Sequence, residues 1–153
     1  MKFSLVILSA LIMSGCKEFH VINVSKVRQS LVFSNEMIVS ACTKSIYIYD
    51  FEVMYSDGDV SSTGWGLVRD AQPDLEYSRF DLPLVYGDSL ASVSTVDKAM
   101  DLVPGVYKLG ATIYCLTADN TRSFSLVGVF AIDEDGGLIT DQEKISRIEN
   151  KGP

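Results

Sequence analysis

Ser45-Ile46-Tyr47-Ile48-Tyr49-Asp50-Phe51-Glu52-Val53-Met54-Tyr55 decides the fold. Tyr47, Tyr49, Phe51, Val53 and Tyr55 fall on one face of an extended chain. Ile46 and Ile48 begin the opposite face, which turns polar at Asp50 and Glu52. Alternation of this kind, rich in aromatic and β-branched residues and closed by Asp57-Gly58, is the pattern of a half-buried strand. A helix would repeat its apolar residues every three to four positions, and this run does not.

The same period extends outward. Val21 to Val32 reads as a first strand, Ser34-Asn35-Glu36 as a turn, and Met37 to Thr43 as a short strand. Gly64 to Val68 reads as a short edge strand, followed by a polar loop from Arg69 to Glu76. Tyr77 to Tyr86 is demoted to an edge because Pro83 removes a ladder donor, and Leu90 to Val96 is a further strand. Tyr107, Leu109, Ala111, Ile113 and Cys115 line one face of a late strand; Phe124, Leu126, Phe130 and Ile132 line the returning one. Thr140-Asp141-Gln142-Glu143 fits a capping box, which predicts a short helix to Asn150 with Ile145 and Ile148 facing inward. The expectation is an all-β fold, a small antiparallel β-sandwich with a short C-terminal helix.

The first fifteen residues stand apart. Lys2 supplies one positive charge, Phe3 to Met13 is apolar except for Ser4 and Ser9, and Ser14-Gly15 precedes Cys16. That is the layout of a secretory signal, and the run is too short for the ~20 apolar residues of a spanning helix. Met13-Ser14-Gly15-Cys16 resembles the lipobox of bacterial lipoproteins, which implies cleavage before Cys16 and acylation of its thiol. Lys17 in place of Asp implies, by the same resemblance, the periplasmic face of the outer membrane. The expected organisation is a signal peptide over 1–15, a lipidated tether over 16–20 and one domain over 21–153.

The leader carries one of thirteen basic residues and none of the twenty acids, so the remainder has a formal net charge of −8. Such a surface repels phosphate, which excludes nucleic acid as a partner. With Cys16 assigned to lipid, Cys42 and Cys115 remain as an even pair in an oxidising compartment, and a disulfide is expected. It would close a loop of about 74 residues, for which the chain-entropy model gives roughly 4–5 kcal/mol.

Residues for catalysis are sparse. His20 is the only histidine and sits beside the lipid attachment, on the tether, so a Ser-His or Cys-His system has no base. No cluster of His and Cys suits zinc. Asp133 to Gly137 fails as a calcium loop, because Ala131 and Gln142 would fall on the first and twelfth ligand positions. Neither an enzyme nor a cofactor is expected. Recognition has two candidates. Trp65, the sole tryptophan, would be an anchor if exposed and a core residue if not. Asp70, Asp74, Glu76 and Asp81, with Tyr77 interleaved, could meet a basic cleft or simply be solvated.

Asp101-Leu102-Val103-Pro104-Gly105-Val106-Tyr107-Lys108-Leu109 resembles the approach to the penultimate strand of immunoglobulin-like domains. That resemblance implies that the Cys42–Cys115 bridge crosses between sheets. In strand parity Cys42 shares a face with Ile38 and Ser40, while Met37, Val39 and Ala41 make the more apolar one. The bridge then lies at the rim, or a bulge switches the register. Taken together, Cys16, the Cys-bearing strand and the Pro104 to Tyr107 motif resemble small periplasmic lipoproteins proposed as immunity proteins of type VI secretion. The resemblance covers the mature chain in organisation and carries no signature site. It implies a protein that binds and occludes a toxic effector, with acidic charge steering a basic partner. A structural lipoprotein of an envelope complex and a lysozyme inhibitor are the competing expectations.

Overall fold

The computed structural model describes residues 19–57, 60–69, 80–90 and 93–150. The chain passes through β1 (Phe19–Val21), β2 (Asn23–Val27), β3 (Ser30–Ser34), α1 (Glu36–Ala41), β4 (Ser45–Asp57) and β5 (Val60–Arg69). It continues through β6 (Leu84–Val85), β7 (Val93–Asp97), β8 (Gly105–Leu116), β9 (Thr121–Ile132), β10 (Leu138–Ile139) and α2 (Gln142–Glu149). Among the described residues these strands form two sheets. The larger runs β1-β9-β8-β4-β5-β7, with β10 added to β9, and the smaller runs β2-β3-β6. β1 lies parallel to β9, and the remaining strand pairs are antiparallel. The mostly β architecture with two sheets and a short C-terminal helix is the one the periodicity sets.

The core fills the space between the sheets. Leu31 and Phe33 of β3 and Leu84 of β6 meet Phe51, Trp65, Leu109, Leu126 and Phe130 of the larger sheet. Phe33 sits at the centre, 5.2 Å from Phe51 and 6.1 Å from Phe130. Side chains of this size each contribute about 1.5–3 kcal/mol when taken out of water.

β4 does not keep one alternation throughout. Its register against β8 slips between Ile48 and Asp50, a bulge that inserts one residue and moves the pattern to the other face. Ile46 and Ile48 enter the core before it, and Phe51 and Val53 after it. Tyr49 is left exposed, edge-on to Tyr114 at 5.6 Å. Tyr47 is also buried, with the Arg69 guanidinium 5.0 Å over its ring.

The expected strand at 37–43 is instead a helix. Asn35 caps α1, its side-chain oxygen accepting from the Ile38 amide at 2.9 Å, while its Nδ2 donates to the Val21 carbonyl at 2.7 Å. A side-chain cap of this kind nucleates a helix that apolar period alone does not reveal. The helix also removes the difficulty over Cys42, because positions four apart share a face. Ile38 and Cys42 both point inward, each 1% exposed, and the Cys42–Cys115 disulfide joins the end of α1 to β8.

Other boundaries move as well. Val21 to Val32 is divided among β1, β2 and β3, with a tight turn between β2 and β3 at Arg28, whose φ is 57°. The segment around Trp65 belongs to a ten-residue strand between β4 and β7, not to a short edge. Around Pro83 only Leu84–Val85 pairs with β3, and the Leu82–Pro83 peptide is cis. β1 begins at Phe19, so His20 belongs to the folded domain and packs edge-on against Phe124 at 5.2 Å. Asp141, not Thr140, caps α2 by accepting from the Lys144 amide at 2.9 Å; Ile145 is buried, while Ile148 stays exposed.

Candidate binding face

The larger sheet has an outer face that the core does not use, and α2 covers only one end of it. Val106, Ala131 and Ile145 pack together there with Val129 and Ile139, and Lys108 pairs with Glu149 at 3.4 Å. At the other end stand Tyr49 and Tyr114. Between them Gly66, Gly110, Thr112 and Ser125 leave room on the outer face, and a trough of about 380 Å³ crosses the sheet.

Gly110 on β8 makes its floor. A Cβ placed there would meet no atom within 4 Å, so the space above it is open. On β5, a Cβ at Gly66 would come within 3.0 Å of Val96 and 3.1 Å of the Asp97 carboxylate, which lean in from β7. The walls are apolar and open to water: Phe19 and Val127 are 60% and 41% exposed at one end, Val68 and Val96 40% and 60% at the other.

Three carboxylates line this apolar trough. Asp50 Oδ1 accepts from the Thr112 amide at 3.0 Å, a backbone group freed at the β4 bulge. Glu52 Oε1 accepts from Thr63 Oγ1 at 3.0 Å. Asp97 borders the same space. Among the described residues no lysine or arginine pairs with any of the three. Apolar walls with uncompensated negative charge suit a partner surface that brings both apolar contact and a cation.

The sequence-derived candidates lie elsewhere. Trp65 is 1% exposed, packed against Phe51 at 5.3 Å and Tyr86 at 5.2 Å, so it is a core residue and not an exposed anchor. Asp81 is also interior: its Oδ2 accepts from Arg69 Nη2 and from the Ile48 amide, both at 2.8 Å. An acid in a polar stretch was expected at the surface, but the β4 bulge needs its oxygen inside. Asp70, Asp74, Glu76, Tyr77 and Cys16 lie outside the described residues. The trough residues carry a quieter signal, the polar face opening at Asp50 and Glu52 together with the polar or small alternate positions Lys108, Gly110 and Thr112.

Two tyrosines tie the long loops to the sheets. The Tyr107 hydroxyl donates to the Val103 carbonyl at 2.8 Å and accepts from the Val103 amide at 2.9 Å; burial raises its pKa. The Tyr86 hydroxyl donates toward the Met100 and Gly64 carbonyls, and burial pushes its pKa up to about 12. Among the described residues no group of three or more His, Cys, Asp or Glu is placed to hold a metal ion.

No family model, curated protein or solved structure matches this chain.

Proposed function

We propose that this protein is a lipid-anchored binding module of the bacterial periplasm, held on the outer membrane through Cys16, that occludes a basic secreted effector as an immunity protein. It works by steric cover and performs no chemistry of its own. The observation that carries this reading is the open trough over Gly110, with apolar walls and three carboxylates that have no cationic partner among the described residues. The same reading takes the sandwich as immunoglobulin-like. Its support is the Tyr107 hydroxyl bonded back to Val103, the arrangement of a tyrosine corner at the start of a late strand.

Co-purification of residues 17–153 with the product of the neighbouring gene tests it. Gly110→Phe puts a ring into the trough from a position where an added Cβ meets no atom within 4 Å. The wild type is expected to form a complex that Gly110→Phe weakens by at least about tenfold, the loss of about 1.4 kcal/mol. Met37→Phe, on exposed α1, is expected to bind as the wild type does. Absence of a complex overturns the reading, and equal binding by Gly110→Phe removes the trough from it.

A further inference from the structure

We infer that the β1 edge of the larger sheet rests on the lipid bilayer, with Phe19, Val21 and Val127 entering the headgroup–acyl boundary. This rests on the lipid-anchor reading of Cys16.

β1 pairs in parallel with β9, setting Phe19 beside Ser125 and Val21 beside Val127. Alternation then sorts the strand. His20 and Ile22 turn inward, His20 against Phe124 and Ile22 into the core. Phe19 and Val21 turn outward and are 60% and 67% exposed, with Val127 beside them. Three large apolar side chains thus share the outermost corner of the sheet, and the neighbouring outward positions on β9 are the uncharged Ser123 and Ser125.

Chain length supplies the occupant. Phe19 is three steps along the chain from Cys16, and an extended chain covers at most about 3.3–3.6 Å per step, roughly 11 Å in all. An acylated Cys16 sits at the headgroups, so Phe19, fixed in the sheet, cannot stand further than that from the membrane surface. Apolar side chains on an amphipathic surface enter this boundary by about 5–10 Å. The carboxylates of the trough stay clear of anionic headgroups: β4 is three strands from β1, roughly 14 Å at a strand spacing of about 4.8 Å. With Phe19 and Val127 turned to lipid, a partner takes the rest of the trough, from Gly110 to Val96 and Asp97, and reaches it from the β7 side.

Full-length lipidated protein, purified from membranes and reconstituted into vesicles of phosphatidylcholine with brominated acyl chains, provides the test. Trp65 is buried and serves as an internal reference. Phe19→Trp is expected to shift its emission to the blue and lose most of it to the bromines, while Val96→Trp, on the opposite edge of the same face, keeps its emission. Both substitutions replace exposed side chains and leave the core intact. Two unquenched tryptophans on protein whose mass shows acylated Cys16 overturn the inference and leave the lipid anchor standing. Equal quenching of both also overturns it, since the whole face would then lie flat. A mass showing no acyl chain on Cys16 overturns the anchor and the inference together.

Discussion

Asp81→Ala is expected to destabilise the domain by about 3–5 kcal/mol, the usual cost of removing one partner from a buried ion pair. The side chains of Arg69 and Asp81 are 1% and 3% exposed, and Asp81 Oδ2 stands 2.8 Å from Arg69 Nη2. The same oxygen accepts from the Ile48 amide, and Arg69 Nε donates to the Ile48 carbonyl at 2.9 Å. Losing the carboxylate therefore leaves a guanidinium out of water and a backbone donor unpaired beside the bulge. An unsatisfied buried donor alone costs about 1–3 kcal/mol, but the two losses share an environment and do not add. Against a total stability of about 5–15 kcal/mol, the change is large. Replacing both residues, as Arg69→Met with Asp81→Leu, removes the desolvation together with the attraction and is expected to cost less than the two single changes combined. Urea unfolding of residues 17–153 with the disulfide intact gives the free energies, compared at constant slope. A loss below about 1 kcal/mol for Asp81→Ala, or a double variant worse than the sum of the singles, would refute this account of the buried pair.

Gly128→Ala places a Cβ 2.7 Å from Ile22 Cγ2 and 3.1 Å from Leu109 Cγ, and overpacking of that kind is expected to cost about 1–3 kcal/mol in the same assay. Gly110→Ala on the neighbouring strand meets open space and is expected to be neutral or to gain up to about 1 kcal/mol, since glycine weakens a strand interior. Tyr86, its pKa raised from 10.0 to about 12, favours the neutral hydroxyl in the folded state. Its contribution is complete below pH 10.0 and is lost as the pH climbs toward about 12; Tyr86→Phe is expected to flatten stability across that window, read from unfolding at stepped alkaline pH. Cys42→Ala with Cys115→Ala opens a closure between residues 73 apart and is expected to lower stability by about 2–5 kcal/mol, measured as a shift in the urea midpoint.

Much of the fold could be read from alternation alone, because a strand buried on one face must repeat every two residues. β4, β8 and β9 declared themselves in this way. What the pattern could not reveal depended on groups distant in sequence. The bulge at Tyr49 moves the β4 core face by one residue, and its free polar groups are met by Asp50, Asp81 and Arg69. α1 depends on an Asn35 side chain that bonds its own backbone, so the apolar residues around Ile38 gave no warning of a helix. Trp65 stood between glycines in a polar stretch, and only the pairing of β5 with both β4 and β7 shows that it faces the core. The trough was visible only as an absence of bulk on three strands. Which strands are neighbours is a tertiary fact, and Gly66, Gly110 and Ser125 become one surface only through it.

The proposed lipid anchor requires a thioether at Cys16. Intact-mass spectrometry of the protein extracted from membranes measures it directly. The expected species starts at Cys16, carries acyl chains there, and has Cys42 bonded to Cys115. A chain that still begins at Met1, bears no lipid and titrates three free thiols would contradict it.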